Sequence, residues 1–261
     1  MKKAYFNVCK HLIASDLIIF QKDLVNKIID LAIWVGLTLF VTGYIMPYFG
    51  LSKNFGSFQF GGILAAVGLF QLYGAVVELV GDLQGDREID YHLTLPIPSW
   101  LAIASKAGYY FINYMTLSIV MLPLGKLALW NELDLTIINY YQLFLAQIFQ
   151  NMFYACFTIF AGSLIDSMSK LGTVWQRGIF PMWFMGGFQF SWMALYTVTP
   201  VIGLIDLLNP MIYATEATRI ALLGQAGYIN FWICLMMLFG CAMISFMVGL
   251  WNFKKRLDFI Y

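Results

Sequence analysis

The chain has 261 residues, of which 61% are hydrophobic and only 11% charged, and its net charge is +1. Soluble domains carry about 25% charged residues, so this balance excludes an ordinary soluble globule. A near-neutral charge also excludes a nucleic-acid partner, whose phosphates demand a strongly basic surface.

Six runs contain no Asp, Glu, Lys or Arg: 31–52, 54–77, 107–125, 135–165, 178–205 and 220–253. A helix rises about 1.5 Å per residue, so about 20 apolar residues cross a hydrocarbon core roughly 30 Å thick. A charge at the bilayer centre costs about 3 kcal/mol. The pattern predicts an all-α membrane protein with six transmembrane helices in a single domain, 1–261. With the N-terminus inside, the inner segments hold Lys2, Lys3, Lys10, Lys22, Lys27, Arg87, Lys106, Lys170, Arg177, Lys254, Lys255 and Arg256. The outer segments hold Lys53, Lys126 and Arg219. This asymmetry predicts both termini in the cytoplasm.

In chain order, residues 1–27 alternate charge with apolar groups at helical spacing (Val8, Leu12, Leu17, Phe20, Leu24), which predicts a helix lying in the inner interface. Spans are predicted at about 28–49, 58–80, 103–127, 136–164, 178–198 and 229–253. Pro47 and Gly50 close the first, and Lys106 and Lys126 can snorkel from the third to opposite interfaces. A polar inner loop is expected at 166–177. The segment 81–100 between spans two and three is acidic and charged at first (Asp82, Asp86, Arg87, Glu88, Asp90), then apolar (Leu93, Leu95), and Pro96 and Pro98 stop any helix. It reads either as a solvated loop or as a short amphipathic helix offering charge and two Leu knobs to a cytoplasmic partner. The run 220–253 is too long for one straight span. Residues 199–228 hold Pro200, Asn209-Pro210 and Gly224 together with Asp206, Glu216 and Arg219. A helix pair that enters the outer leaflet and returns fits them, provided protein or a water-filled cavity covers its irregular backbone. Trp130, Tyr140, Trp192, Tyr196, Tyr228 and Trp251 fit interface belts.

Catalytic motifs are missing. There is no G-x-x-x-x-G-K-[ST] phosphate loop, no H-x-x-x-H and no G-x-S-x-G. Cys9, Cys156, Cys234 and Cys241 form no C-x-x-C pair and read as small hydrophobes. The first apolar run, from about Ile28, is too long for the h-region of a signal peptide and lacks a small-x-small site. The chain is therefore expected to be no enzyme, with no metal site and no cofactor. Proton coupling is not expected either, because the middles of the six runs carry no titratable carboxylate.

Two stretches carry a resemblance. After span two stand Arg87-Glu88-Ile89-Asp90-Tyr91-His92-Leu93-Thr94-Leu95-Pro96-Ile97-Pro98-Ser99. Between spans five and six stands N-P-x-x-Y-x-x-x-x-x-R, here Asn209-Pro210, Tyr213 and Arg219, with Leu222-Leu223-Gly224 after it. Pro181 and Gly186-Gly187 lie in span five. In order and spacing the chain resembles the ABC-2 type transporter permeases, over essentially its whole length. One departure is Asp90-Tyr91, where many members have a second acidic or small residue. The resemblance implies the transmembrane permease subunit of an ATP-driven exporter in a bacterial inner membrane. Asp86, Arg87, Glu88, Asp90, Leu93, Leu95 and Pro96 would form the coupling helix that docks on an ATPase. Asn209, Pro210, Tyr213, Glu216 and Arg219 would shape an outer re-entrant element, and the spacing of Glu216 and Arg219, three apart on a helix, allows them to pair. The implied partners are cytoplasmic ABC ATPase subunits, which would bind ATP and Mg, a second copy of the chain or a homologous permease, and membrane lipids. A membrane scaffold without transport, and an ion-coupled secondary transporter or channel, are the alternative readings.

Overall fold

The computed structural model describes residues 2–52, 54–85, 97–130 and 132–258, and every regular element among them is helical. Five helices are long and apolar enough to cross a membrane: Asn7–Phe49, Phe55–Gln84, Ser99–Ala128, Tyr140–Leu164 and Phe231–Lys255.

Helix α1, Lys2–Leu39, runs without a break through the expected boundary near residue 27. The reason is local: it contains no proline, and its single glycine is Gly36. At about 1.5 Å per residue it is about 57 Å long, well beyond a hydrocarbon core of about 30 Å. It passes directly into a π-helical turn, Phe40–Ile45, and a 3-10 turn, Met46–Phe49, which Gly50 closes at φ 98°. The π turn falls where α1 crosses the start of α2 (Phe55–Gln84). A Cβ on Gly56 would stand 2.9 Å from the Gly43 Cα, so glycine at both positions sets how closely the helices approach.

Helix α2 is the most enclosed of the long helices. Helix α3 is Ser99–Ala128 and begins directly after Pro98, so the second proline of the Pro-Ile-Pro run opens a helix. Helix α4, Tyr140–Leu164, starts where the Asn139 side chain accepts from the Gln142 N–H at 3.1 Å. Residues 166–177, expected as a polar loop, are largely helical. A 3-10 turn Met168–Lys170, α5 (Leu171–Val174), a π turn Trp175–Ile179 and α6 (Phe180–Met185) follow one another without interruption. Trp175 packs edge-on against Tyr73 with ring centroids 4.9 Å apart, which seats this run on α2.

The expected fifth span is broken at residues 186–191. Gly187 sits at φ 73°, and a Cβ there would meet Ile212 and Thr215 at 2.7 and 2.8 Å. The chain then forms α7 (Trp192–Val198), α8 (Pro200–Asp206), α9 (Pro210–Leu223) and α10 (Phe231–Asp258). Helix α9 packs among α2, α4 and α10, and residues 211–222 are all buried. Helices α4 and α10 come close enough that a Cβ on Gly249 would lie 3.0 Å from the Phe160 backbone nitrogen.

Candidate functional site

The N-P-x-x-Y-x-x-x-x-x-R residues converge on α9, and each has a distinct structural task. Asn209 caps the helix: its Oδ1 accepts from the Met211 N–H at 3.1 Å, and its Nδ2 donates to the Met182 carbonyl at 2.9 Å, tying α9 to α6. Pro210 occupies the first turn, where no N–H is needed. The Tyr213 hydroxyl donates to the Leu207 carbonyl at 2.7 Å and closes the turn from α8.

Glu216 and Arg219 are both completely buried. They do not form the expected direct ion pair among the described residues. Glu216 instead accepts from the Trp192 N–H through Oε1 and from the Ile229 N–H through Oε2, both at 2.9 Å. These are the starts of α7 and of the α10 lead-in. Arg219 donates to the carbonyls of Phe58 (3.2 Å), Phe190 (2.8 Å) and Phe188 (3.0 Å), and its guanidinium lies 3.6 Å from the Phe58 ring centroid. The break at 186–191 and the helix starts leave backbone groups that no helix satisfies, and buried backbone groups demand partners. Charge-assisted hydrogen bonds are the strong way to supply them. Glu216 and Arg219 together link α9 to α2, the 186–191 break, α7 and α10.

Below this knot lies a polar seam that the charge-based reading passed over. On α4, Gln150 donates to the Gln147 Oε1 at 2.7 Å and accepts from the Thr218 hydroxyl of α9 at 3.1 Å. Asn151 donates to the Ser118 hydroxyl of α3 at 3.1 Å, and Tyr114 and Thr158 share a hydrogen bond at 2.8 Å. Gln59 Oε1, Asn113 Oδ1, Tyr110 Oη and Gln147 Nε2 are buried with no hydrogen-bond partner among the described residues. The signal was available in the sequence: Gln147, Gln150 and Asn151 share one helix face at i, i+3 and i+4. Interhelical hydrogen bonds of this kind hold membrane bundles together.

At the opposite end of α2, the buried Asp16 of α1 receives the Lys106 ammonium of α3 at 3.3 Å. The same ammonium lies 5.5 Å from the Tyr109 ring centroid. This pairing clamps the N-terminal half of α1 onto the start of α3. The proposed coupling residues Asp86, Arg87, Glu88, Asp90, Leu93, Leu95 and Pro96 lie outside the described residues. Gln84 donates to the Asp166 carbonyl at 2.9 Å, so the end of α2 meets the start of the 168–185 run.

The turn between α3 and α4 is also fixed. Lys126 donates to the Trp130 and Leu133 carbonyls at 2.7 and 2.8 Å, and the Ser57 hydroxyl donates to the Glu132 carbonyl at 2.9 Å. The Thr136 hydroxyl and N–H hold the Asp134 carboxyl below its usual range, whereas burial raises that of Glu132. Among the described residues, no three His, Cys, Asp or Glu side chains converge as a metal site. No protein-family model matches the chain, and no curated protein matches it either.

Proposed function

We propose that the chain is the membrane permease subunit of an ATP-driven exporter, of the kind that its motifs resemble. The observation that carries this reading is α9. Asn209, Pro210 and Tyr213 shape the turn into it, and Glu216 and Arg219 fasten it to the start of α2, to α7 and to the α10 lead-in.

In this reading the sixth crossing leads from the composite run 168–185 into the 186–191 break, with Lys170 and Arg177 toward its inner end, and the chain then turns back through α7, α8 and α9 on the outer side before α10 returns. Both termini lie in the cytoplasm of a bacterial cell with the subunit in the inner membrane, and residues 81–100 face that side. Two six-span subunits enclose the path. Two ATPase subunits bind ATP and Mg and press on the coupling segments. Their closure shifts the pair between inward-facing and outward-facing or closed arrangements. The Asp16–Lys106 clamp supports this arrangement, because it couples α1 to the helix that follows the docking segment.

The test is co-purification with a Walker-motif ATPase. Exchanging charges by Arg87→Glu with Glu88→Arg is expected to leave the subunit inserted while abolishing both ATPase attachment and stimulation of ATP hydrolysis. Unchanged attachment and stimulation in the exchanged protein overturn the coupling role.

A further inference from the structure

The crossing of α1 and α2 is filled from the side by the turn that joins α3 to α4. A Cβ on Gly56 would lie 2.5 Å from Glu132 Oε2, and one on Gly43 would lie 3.3 Å from the same oxygen. The Leu129 Cδ2 methyl would stand 3.0 and 2.8 Å from those two positions, and Leu129 is completely buried. The two glycines thus form a notch, and a carboxyl oxygen and a methyl group occupy the space that side chains would otherwise take.

The notch offers that oxygen no donor. Glu132 Oε2 is buried with no hydrogen-bond partner among the described residues. The backbone that delivers it is fixed: the Glu132 carbonyl accepts from the Ser57 hydroxyl at 2.9 Å, and the Glu132 N–H donates to the Leu129 carbonyl at 3.2 Å. The polar and charged groups around it are engaged elsewhere. From the π turn after α1, Tyr44 donates its hydroxyl to the Ala128 carbonyl at 3.1 Å. From the end of α3, the Lys126 ammonium donates to the Trp130 and Leu133 carbonyls. From the lead-in to α4, the Asp134 carboxyl accepts from the hydroxyl and N–H of Thr136. The first two turns of α2, residues 55–62, carry no charge, and Lys53 lies outside the described residues. A neutral carboxylic acid tolerates such a seat far better than a carboxylate does. Burial accordingly raises the Glu132 pKa. The residue is half-buried, and a proton needs no passage wide enough for a ligand.

We propose that Glu132 is a pH-operated latch: protonated, its side chain stays in the Gly43–Gly56 notch and locks the crossing of α1 and α2; ionised, it swings out to water and frees the crossing. The latched form binds the proton more tightly than the released form, so latching is complete at low pH and is lost as pH rises. The latch belongs to this chain alone and needs no ATPase. With the orientation proposed above it reads the pH outside the cell, and the test below does not depend on that orientation.

The experiment uses the full chain, freed of its native cysteines, in phosphatidylcholine nanodiscs. Spin labels on Tyr48→Cys and Ile137→Cys, whose parent residues are 91% and 64% exposed, report the distance between the turn after α1 and the lead-in to α4. One narrow distance distribution is expected at about pH 4 and a broader one at about pH 8, with a one-proton midpoint above the ordinary glutamate value of about 4.3. Glu132→Gln, which keeps the shape and removes the charge, should hold the narrow distribution at both pH values. Glu132→Ala, which empties the notch, should give the broad one at both. Asp134→Asn, which removes the neighbouring acid, should leave the pH profile unchanged. A pH-independent distribution in the parent protein, a transition that survives in Glu132→Gln, or one that disappears in Asp134→Asn overturns the proposal.

Discussion

Arg219 serves three carbonyls that belong to two separate pieces of backbone. A lysine there brings a single compact ammonium in place of the planar fork. Arg219→Met leaves those carbonyls buried and unpaired, and the expected loss is about 3 kcal/mol or more in unfolding from detergent. Arg219→Lys should recover only part of it. Asp206 behaves in the opposite way. Its folded pKa lies above its unfolded value, so folding disfavours the ionised form, and stability is lost as pH rises through about 4 to about 6. Asp206→Asn should therefore raise the melting temperature at neutral pH, and the gain should shrink as pH falls through that window; an unchanged difference across it excludes the assignment. The sequence made Glu216 and Arg219 legible as buried charges in an apolar stretch. It could not tell that they hold backbone rather than each other, because the orphaned groups of Phe188, Phe190 and Trp192 arise only once the break at 186–191 exists, and that of Ile229 only once the chain turns between α9 and α10.

At the scale of elements, four of the long helices could be read from charge-free runs, because a hydrocarbon solvent penalises charge at every position of a span. Two boundaries could not. The interfacial segment and the first span form one helix, since alternating charge shows where water begins but not where a helix bends. The run 168–185 begins ten residues earlier than its charge-free stretch, because Lys170 and Arg177 are compatible with helix and only unfavourable in mid-bilayer. The break after it was signalled by Gly186-Gly187, and the left-handed backbone at Gly187 gives the reason. Gly187→Ala places a Cβ against Ile212 and Thr215 and strains a positive φ. We expect it to destabilise the fold by about 2 kcal/mol, read as a lower midpoint in denaturant titration. Gly62→Ala should act on the same knot, since its Cβ would stand 3.0 Å from Arg219 Nη2. The two effects should be non-additive in a double-mutant cycle, whereas additivity would separate the break from the Arg219 contacts.

For the molecule as a whole, orientation is the property that decides which face meets the cytoplasm. In a chain freed of its native cysteines, a membrane-impermeant maleimide should label Tyr48→Cys, whose parent residue is 91% exposed, in intact cells. It should label His11→Cys only after lysis, and the reverse pattern would invert the topology. The uninterrupted α1 gives that orientation a mechanical meaning. Its N-terminal half is clamped to α3 through Asp16 and Lys106, and the turn that continues it crosses α2 where Gly43 and Gly56 meet. A rod held at two places has no joint between them, so a sideways push at its N-terminal end is borne by the Asp16–Lys106 clamp and by the Gly43–Gly56 contact together.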